Sequence, residues 1–170
     1  MFNSMSKAQL SRQHIASAFQ KMREGDYYSA ITEWLTAIEL QPDHPEIHTG
    51  FDILGSCYAR VNDLEKAIEA YKEAIRRKPD YLQSHSGLAG VLAVHGDLKL
   101  ALDEYLFVLR RSDNRELLNL IRNGIRLLII NAQKQGQVGI LRNLGSESQR
   151  LLLDVMDDQT RQLFFGLISP

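Results

Sequence analysis

The side chains best suited to chemistry lie around two histidines in residues 43–48. His44 and His48 are four residues apart, with Asp43 and Glu46 beside them. Imidazole and carboxylate groups are zinc ligands, and side chains at i and i+4 share one face of a helix. Pro45 is expected to start a helix and leave His44 outside it, and a structural zinc site needs four ligands. The sequence therefore favours a polar loop, with Asp43 and Glu46 as an acidic pair stabilised by a helix N-terminus, and predicts neither metal nor cofactor.

Cys57 is the other reactive candidate, and it is the single cysteine of the chain. It lies in an apolar helical pattern with Leu54 and Tyr58. A free cysteine in such a pattern is commonly a small buried residue, and a nucleophilic cysteine would need a nearby base. The glycines of residues 87–90 lack the spacing of a dinucleotide loop and the lysine of a phosphate loop. The sequence contains no set of nucleophile, base and orienting residue, so we predict that the protein is not an enzyme.

The composition excludes several further classes. Of 170 residues, 20 are Lys or Arg and 21 are Asp or Glu, giving a formal net charge of −1. A nucleic-acid-binding protein usually has a basic excess on one face, so no nucleic-acid partner is expected. Uninterrupted apolar runs such as residues 127–130 are far shorter than the ~20 residues of a membrane span. Without a secretory signal pattern, and with one unpaired thiol, the expected compartment is the cytoplasm.

An internal repeat in the sequence predicts the helices that position these residues. Segments of the chain can be aligned after shifts of 34 and 37 residues, which brings large aromatic side chains and small alanines into register. The aligned positions are Trp34, Tyr71 and Tyr105, then Ala30, Ala67 and Ala101. Small residues facing large ones allow two helices to pack closely. The apolar spacing of residues 64–75 also follows i, i+3, i+4, i+7, which indicates helices.

This pattern resembles the tetratricopeptide repeat family, whose unit is a 34-residue helix–turn–helix. Residues 48–81 have all eight signature positions, whereas His85 and Asp113 depart in the third copy. The resemblance implies an all-α fold, a right-handed α-α superhelix of helix pairs. We expect an N-terminal segment 1–10, repeats at 11–44, 48–81 and 82–115, and a helical extension at 116–170.

Helix starts are predicted at several polar residues, because Asp, Asn and Ser side chains accept hydrogen bonds from free backbone N–H groups. Predicted N-caps are Asp26, Asp63, Asp97 and Asp157, and predicted capping boxes are Asp80–Gln83, Asp113–Glu116 and Ser146–Gln149. Within one helix, Glu73 and Arg77 form a favourable i, i+4 pair.

The extension after residue 116 is predicted to be helical but outside the repeat register. A long apolar helix is followed by helices near 138–144, 147–156 and 158–167. In one interpretation these helices cap the exposed edge of the third repeat, as solenoids require. In another, surplus apolar residues form a homodimer or partner interface, and these are Leu151, Leu152, Leu153, Phe164 and Phe165. A degenerate fourth repeat starting near Glu116 is a third alternative.

The resemblance also implies a function. In tetratricopeptide proteins the first helix of each pair lines a concave groove that binds peptides or helices. The matching residues are Arg12, Ile15, Phe19 and Met22, then Thr49, Asp52, Ser56 and Arg60, then Gln83, Ser86, Gly90 and Ala93. Family members that bind the acidic tails of heat-shock chaperones use a clamp of lysine, asparagine and arginine. The corresponding positions here are Ile15, Phe19, Ile53, Gln83 and Gly87, so that clamp is not expected.

The sequence therefore predicts a cytoplasmic protein-interaction module, a scaffold or a chaperone-like protein, that binds a peptide or helix of another protein in its groove. The alternative is a structural protein that assembles with itself through the apolar helices of residues 116–170.

Overall fold

The computed structural model describes residues 5–169, and all regular secondary structure in that range is helical. The helices are α1 Lys7–Glu24, α2 Tyr27–Leu40, α3 Ile47–Arg60, α4 Leu64–Arg77, α5 Leu82–His95, α6 Leu98–Leu109, α7 Arg115–Lys134, α8 Gly139–Arg142, α9 Ser146–Val155 and α10 Asp158–Ile168. The three predicted repeats overlap the pairs α1/α2, α3/α4 and α5/α6, but α1 begins at Lys7, within the segment 1–10 that was predicted to precede the first repeat. Helices α8, α9 and α10 lie where the sequence predicts them. Among residues 5–169 no helix combines the length and the apolar character needed to cross a bilayer.

The helices pack into two compact units, one up to residue 84 and one from residue 85 onward. This boundary lies inside α5, whereas the predicted repeats end at residue 115. The first unit contains the pairs α1/α2 and α3/α4, with α2 also packed against α3. Its core is centred on Trp34, Leu54 and Cys57 with small alanines around them.

A glycine sets the close approach of α3 and α4. A Cβ atom on Gly55 would lie 3.0 Å from three ring carbons of Tyr71, and Tyr71 is itself buried. Ala67 is completely buried as well. The predicted packing of small residues against large ones is therefore what holds this pair together.

The second unit buries much of the apolar C-terminal sequence within itself. Helix α7 packs against α6, and both α9 and α10 pack against α7. Leu141, Leu152 and Phe164 are fully buried there. The prediction that Leu152 and Phe164 belong to an interface is therefore wrong, because both side chains pack inside this unit. Tyr105 of α6 lies so close to α7 that a Cβ on Gly124 would come within 2.6 Å of its Cζ atom.

Arginine side chains bind the free carbonyls at the ends of the last two helices. Arg122 Nε donates to the Val155 carbonyl at 2.7 Å, and Arg142 Nε donates to the Leu167 carbonyl at 2.8 Å. Arg161 donates to the Leu153 carbonyl through Nε and a terminal nitrogen. The last carbonyls of a helix have no partner within it, so these bonds tie α9 and α10 to their surroundings.

The helix starts agree with the sequence in part. Asp26, Asp63 and Asp157 accept backbone N–H groups as predicted. Asp97 occupies the cap position without a capping hydrogen bond, and its carboxylate lies 2.9 Å from Nδ1 of His95 instead. Ser6 and Gln9 form a capping box for α1 that the sequence analysis did not identify.

Four predicted starts are wrong by one or more residues. The cap of α7 is Asn114 rather than Asp113, and the cap of α9 is Gly145 rather than Ser146. Helix α5 begins at Leu82, one residue later than a cap at Asp80 requires. Helix α3 begins at Ile47 rather than at Pro45. Each region contains adjacent polar or turn residues, so the short-range sequence signal does not single out one of them.

Candidate functional site

An open cleft of about 270 Å³ lies in the first unit, and we call it the α1–α3 cleft. Helix α1 forms one wall, α2 contributes the base, and the end of α2 with the start of α3 forms the other wall. The lining residues are Ser11, Arg12, Ile15, Phe19, Trp34, Ala37, Ile38, Gln41, His44, Glu46, Ile47, Thr49, Gly50 and Ile53. Most of the cleft is therefore apolar, with polar groups along its edges.

Two aromatic rings dominate the apolar part. Phe19 and Trp34 meet edge to face, with ring centroids 5.3 Å apart and an interplanar angle of 81°. Trp34 is 5% exposed, whereas Phe19 is 43% exposed. The indole also lies beside α3, since a Cβ on Gly50 would be in van der Waals contact with Trp34 Cζ3 at 3.7 Å. A half-exposed ring held against a buried one presents a fixed apolar surface to any molecule that enters.

The edges of the cleft have both signs of charge. Arg12 is exposed, and within residues 5–169 it makes no side-chain hydrogen bond or ion pair. Glu46 is exposed, and its Oε2 lies 3.6 Å from Nε2 of the buried His48, a side chain that is charged only when protonated. Nδ1 of His44 accepts the backbone N–H of Glu46 at 3.1 Å. Arg12 and Glu46 therefore give the cleft one formal charge of each sign.

The predicted groove residues of α1 divide between the cleft and the core. Arg12, Ile15 and Phe19 line the cleft together. Met22 is partly buried and packs against the core around Trp34 instead.

The predicted residues of α3 are more dispersed. Thr49 lines the cleft and donates from Oγ1 to the Glu46 carbonyl at 2.7 Å. Asp52 does not line it, and its carboxylate accepts the Ser84 hydroxyl at 2.6 Å. Burial raises the pKa of Asp52, and this hydrogen bond opposes that effect.

The remaining α3 residues also lie outside the cleft. Arg60 is exposed, and its Cζ lies 5.6 Å from the centroid of the Tyr27 ring. Ser56 is half-buried.

The predicted residues of α5 present little side-chain surface apart from one. Gln83 is exposed, Ser86 and Ala93 are buried, and Gly90 is half-buried. A Cβ on Gly90 would lie 3.7 Å from the Tyr105 hydroxyl, so this glycine borders the core of the second unit. Gln83 is the α5 residue of this set with the most accessible side chain.

Two of the candidate reactive residues, His48 and Cys57, are packed in the protein interior. His48 is buried with its ring edge-on to Tyr81, at a centroid distance of 4.7 Å, while His44 is exposed. No group of three or more potential metal ligands occurs in the part of the chain that the structure describes. Cys57 is fully buried, and burial raises the pKa of its thiol to about 11.

Comparison with known proteins finds the tetratricopeptide repeat over part of the chain. The match to the tetratricopeptide repeat family covers residues 54–115, from within α3 to the start of α7. The solved structures most like the chain include a tetratricopeptide repeat protein from Parabacteroides merdae, with a TM-score of 0.71 at 15% identity over 94% of this chain and 60% of that one.

Two further proteins are similar to this chain in structure or in sequence. The TPR2B domain of yeast Sti1, solved in a complex with pHsp70, has a TM-score of 0.61 at 16% identity over 76% of this chain and 99% of that one. The mouse protein O-mannosyl-transferase TMTC2 is 29% identical over 73 residues. Those residues are 43% of this chain and 9% of the mouse protein, so the chain spans only a small part of that relative.

The helix pairs α1/α2 and α5/α6 each contain a histidine–carboxylate contact that sequence reasoning missed. His14 Nδ1 lies 2.6 Å from a Glu33 carboxylate oxygen, and His85 Nδ1 lies 2.6 Å from one of Glu104. Both pairs join the first and second helix of a repeat across 19 residues. The middle repeat has Phe51 at the aligned histidine position. Aligning the histidines together with the second helices would have revealed these pairs.

Proposed function

We propose that this chain is a protein-interaction module that binds a peptide or helical segment of another protein, with the α1–α3 cleft as its main contact. The observation that carries the proposal is the half-exposed Phe19 ring held against Trp34 in an apolar cleft. Aromatic side chains fixed in this way are typical anchors of protein interfaces. The Sti1 domain, of similar fold, was solved bound to a protein partner.

The size of the cleft favours side chains over a free small molecule. Small-molecule sites usually enclose ~300–1,000 Å³, and an apolar cavity of ~150 Å³ holds one benzene ring. At about 270 Å³ the cleft matches one or two large apolar side chains. A segment that inserts such side chains while its backbone stays outside fits this shape.

The proposal is of a non-enzymatic module. Its support is that the reactive groups take part in packing and helix contacts. The Cys57 thiol is buried with a raised pKa, and a thiol in that state is a poor nucleophile. Asp52 is bound by Ser84, and His14 is bound by Glu33. We also propose the cytoplasm as the compartment, which cell fractionation with an antibody would test.

Affinity capture from the native cell extract tests the proposal. The immobilised wild type is compared with Phe19→Asp, which places a charge in the cleft, and with Arg60→Glu on the predicted α3 face. Tyr28→Asp is the matched control, because Tyr28 is a 72% exposed aromatic residue outside the cleft. We expect Phe19→Asp to lose partners that Tyr28→Asp retains. Retention of every partner by both Phe19→Asp and Arg60→Glu would refute the groove as the binding site.

A second candidate function is self-assembly through the C-terminal helices. On α7, Leu120 and Leu127 are 64% and 38% exposed and lie seven residues apart, on one face of the helix. Sedimentation velocity at several concentrations tests this candidate. A concentration-dependent dimer that disappears in Leu120→Glu with Leu127→Glu would support it, and a strict monomer would eliminate it.

A further inference from the structure

We infer that Arg77 positions one wall of the α1–α3 cleft, although it lies outside the cleft. That wall includes the α2–α3 loop, residues 41–46, which contributes Gln41, His44 and Glu46 to the lining. Arg77 belongs to α4 and does not line the cleft itself. The inference rests on the proposed function and adds a residue that controls the shape of the binding site.

The α2–α3 loop has few contacts that fix its own position. Five of its six residues are exposed, so burial contributes little to its stability. Its backbone hydrogen bonds are local, since His44 donates its N–H to the Gln41 carbonyl at 3.2 Å and Ile47 donates to the His44 carbonyl at 2.9 Å. Such bonds shape the turns without joining the loop to a neighbouring helix. Segments with little burial open more readily than the core, so one outside contact has a large effect on them.

Arg77 supplies an outside contact of this kind. Its Nη1 donates to the Pro42 carbonyl at 3.0 Å, which joins positions 35 residues apart in the chain. A hydrogen bond from a charged donor is stronger than one between neutral groups. Because α4 packs along α3, this bond links the loop to the second helix pair of the unit.

The orientation of the Arg77 guanidinium is itself fixed by two other contacts. Its Nε donates to Oε1 of Glu73 at 2.8 Å, one turn earlier on α4. Its Cζ lies 5.7 Å from the centroid of the Phe51 ring on α3. A guanidinium group is planar and its N–H groups point in fixed directions. The contacts with Glu73 and Phe51 therefore direct another N–H toward the loop.

The neighbouring Arg76 provides a matched control within the same helix. Its Nε and Nη2 also donate to the Glu73 carboxylate, at 2.7 and 2.6 Å. In residues 5–169 its side-chain hydrogen bonds go to Glu73, whereas Arg77 binds both Glu73 and the loop. Removing either arginine thus weakens the ion pair with Glu73, and only the loss of Arg77 releases the loop.

A distance measurement between α1 and the loop tests the inference. Cysteines replace Gln13 and Asp43, which are both exposed and outside the lining of the cleft, and nitroxide labels are attached for double electron–electron resonance. The native Cys57 should not react, because it is fully buried and its thiol pKa is raised to about 11. This labelled full-length protein is compared with versions that also carry Arg77→Met or Arg76→Met. Methionine keeps an apolar chain similar to the arginine stem and lacks the donors.

We expect a narrow distance distribution in the labelled parent protein and in Arg76→Met. Arg77→Met should broaden the distribution, because the loop loses its hydrogen bond to α4. Circular dichroism should show the same helix content in all three proteins. An unchanged width in Arg77→Met, or equal broadening in the two arginine variants, overturns the inference.

Affinity capture from the native cell extract measures the consequence for binding. The amount of those partners that Phe19→Asp loses should fall by about tenfold in Arg77→Met, the effect of one lost hydrogen bond from a charged group. Arg76→Met should retain them. Undiminished capture by Arg77→Met overturns the inference and leaves the proposed function in place. Retention of every partner by Phe19→Asp and Arg60→Glu refutes the proposed function instead, and the distance measurement then decides separately whether Arg77 fixes the loop.

Discussion

Two glycines allow tyrosine rings to pack directly against neighbouring helices. Gly55 does so for Tyr71, where a Cβ on the glycine would lie 3.0 Å from the ring, and Gly124 does so for Tyr105 far more tightly. The alanine and aromatic positions of the repeat predicted the first contact. The second was not predicted, because Gly124 lies in a helix outside the repeat register and its partner is distant in sequence.

Gly124→Ala should destabilise the protein by about 1–3 kcal/mol, the usual cost of overpacking a core. A Cβ at this position would lie 2.6 Å from Cζ of the buried Tyr105, and the ring has no free space to move into. Helix propensity acts in the opposite direction by about 1 kcal/mol and is outweighed. Thermal unfolding followed by circular dichroism measures the difference.

Gly166→Ala is the matched control, since a Cβ on this helical glycine would meet no atom within 4 Å. It should stabilise the protein by about 0.5–1 kcal/mol. Similar Tm changes in the two variants would show that Tyr105 does not fill the space opposite Gly124.

The acid sensitivity of the fold should depend in part on Glu73. Arg76 and Arg77 donate hydrogen bonds to its carboxylate, and the Arg76 bond is the main reason that its pKa falls from 4.5 to about 2. A carboxylate with a lowered pKa in the folded state contributes stability above pH 4.5, and this is lost as the pH falls toward 2.

Glu73→Gln removes that contribution. Urea unfolding at pH 7 and pH 3 should show a smaller loss of stability on acidification for Glu73→Gln than for the wild type. The difference should be about 1 kcal/mol or less, because the side chains are partly exposed. Identical pH dependence in both proteins would argue against this ion-pair cluster in solution.

At the scale of elements, the sequence predicted which helices form better than where they start. Repeat spacing and apolar periodicity identified the helix pairs, since both depend on many residues at once. Asp97 was treated as equivalent to Asp63, yet only Asp63 makes a capping hydrogen bond. The Asp97 carboxylate instead lies against His95, two residues away. Whether such a carboxylate contacts a backbone N–H or a neighbouring imidazole depends on local side-chain geometry, which residue type alone does not determine.

The arginine contacts of the C-terminal helices were also absent from the sequence prediction, because they join residues far apart in the chain. Arg122→Ala should lower the free energy of unfolding by about 2 kcal/mol, as expected for a hydrogen bond to a charged group. The Val155 carbonyl at the end of α9 would lose its donor. Hydrogen exchange should quicken in residues 146–156 in particular.

Arg126→Ala is the control for this change, because Arg126 lies on α7 and is exposed. It should alter stability by no more than about 0.5 kcal/mol. Equal effects of the two substitutions would mean that the contact with Val155 contributes nothing.

At the scale of the whole molecule, the fold class was predictable and the division into units was not. The repeat pattern indicates where one helix pair ends and the next begins. Compactness depends also on long-range burial, such as that of Leu152 and Phe164 within the second unit. Long-range packing also explains why the lining of the cleft was only partly anticipated. The family resemblance pointed to Arg12, Ile15 and Phe19 as groove residues, whereas Trp34 and Gly50 line the cleft only through tertiary packing.

Site-specific photo-crosslinking tests the central claim, binding of another protein at the α1–α3 cleft, most directly. Benzoylphenylalanine replaces Phe19 in one protein and Tyr28 in another, since both are exposed aromatic residues and only Phe19 lines the cleft. After irradiation in the native cell extract, mass spectrometry identifies the crosslinked proteins. The proposal predicts one or a few partners at position 19 that are absent at position 28 and are displaced by excess wild-type protein. The same proteins at both positions, or none at position 19, would contradict it.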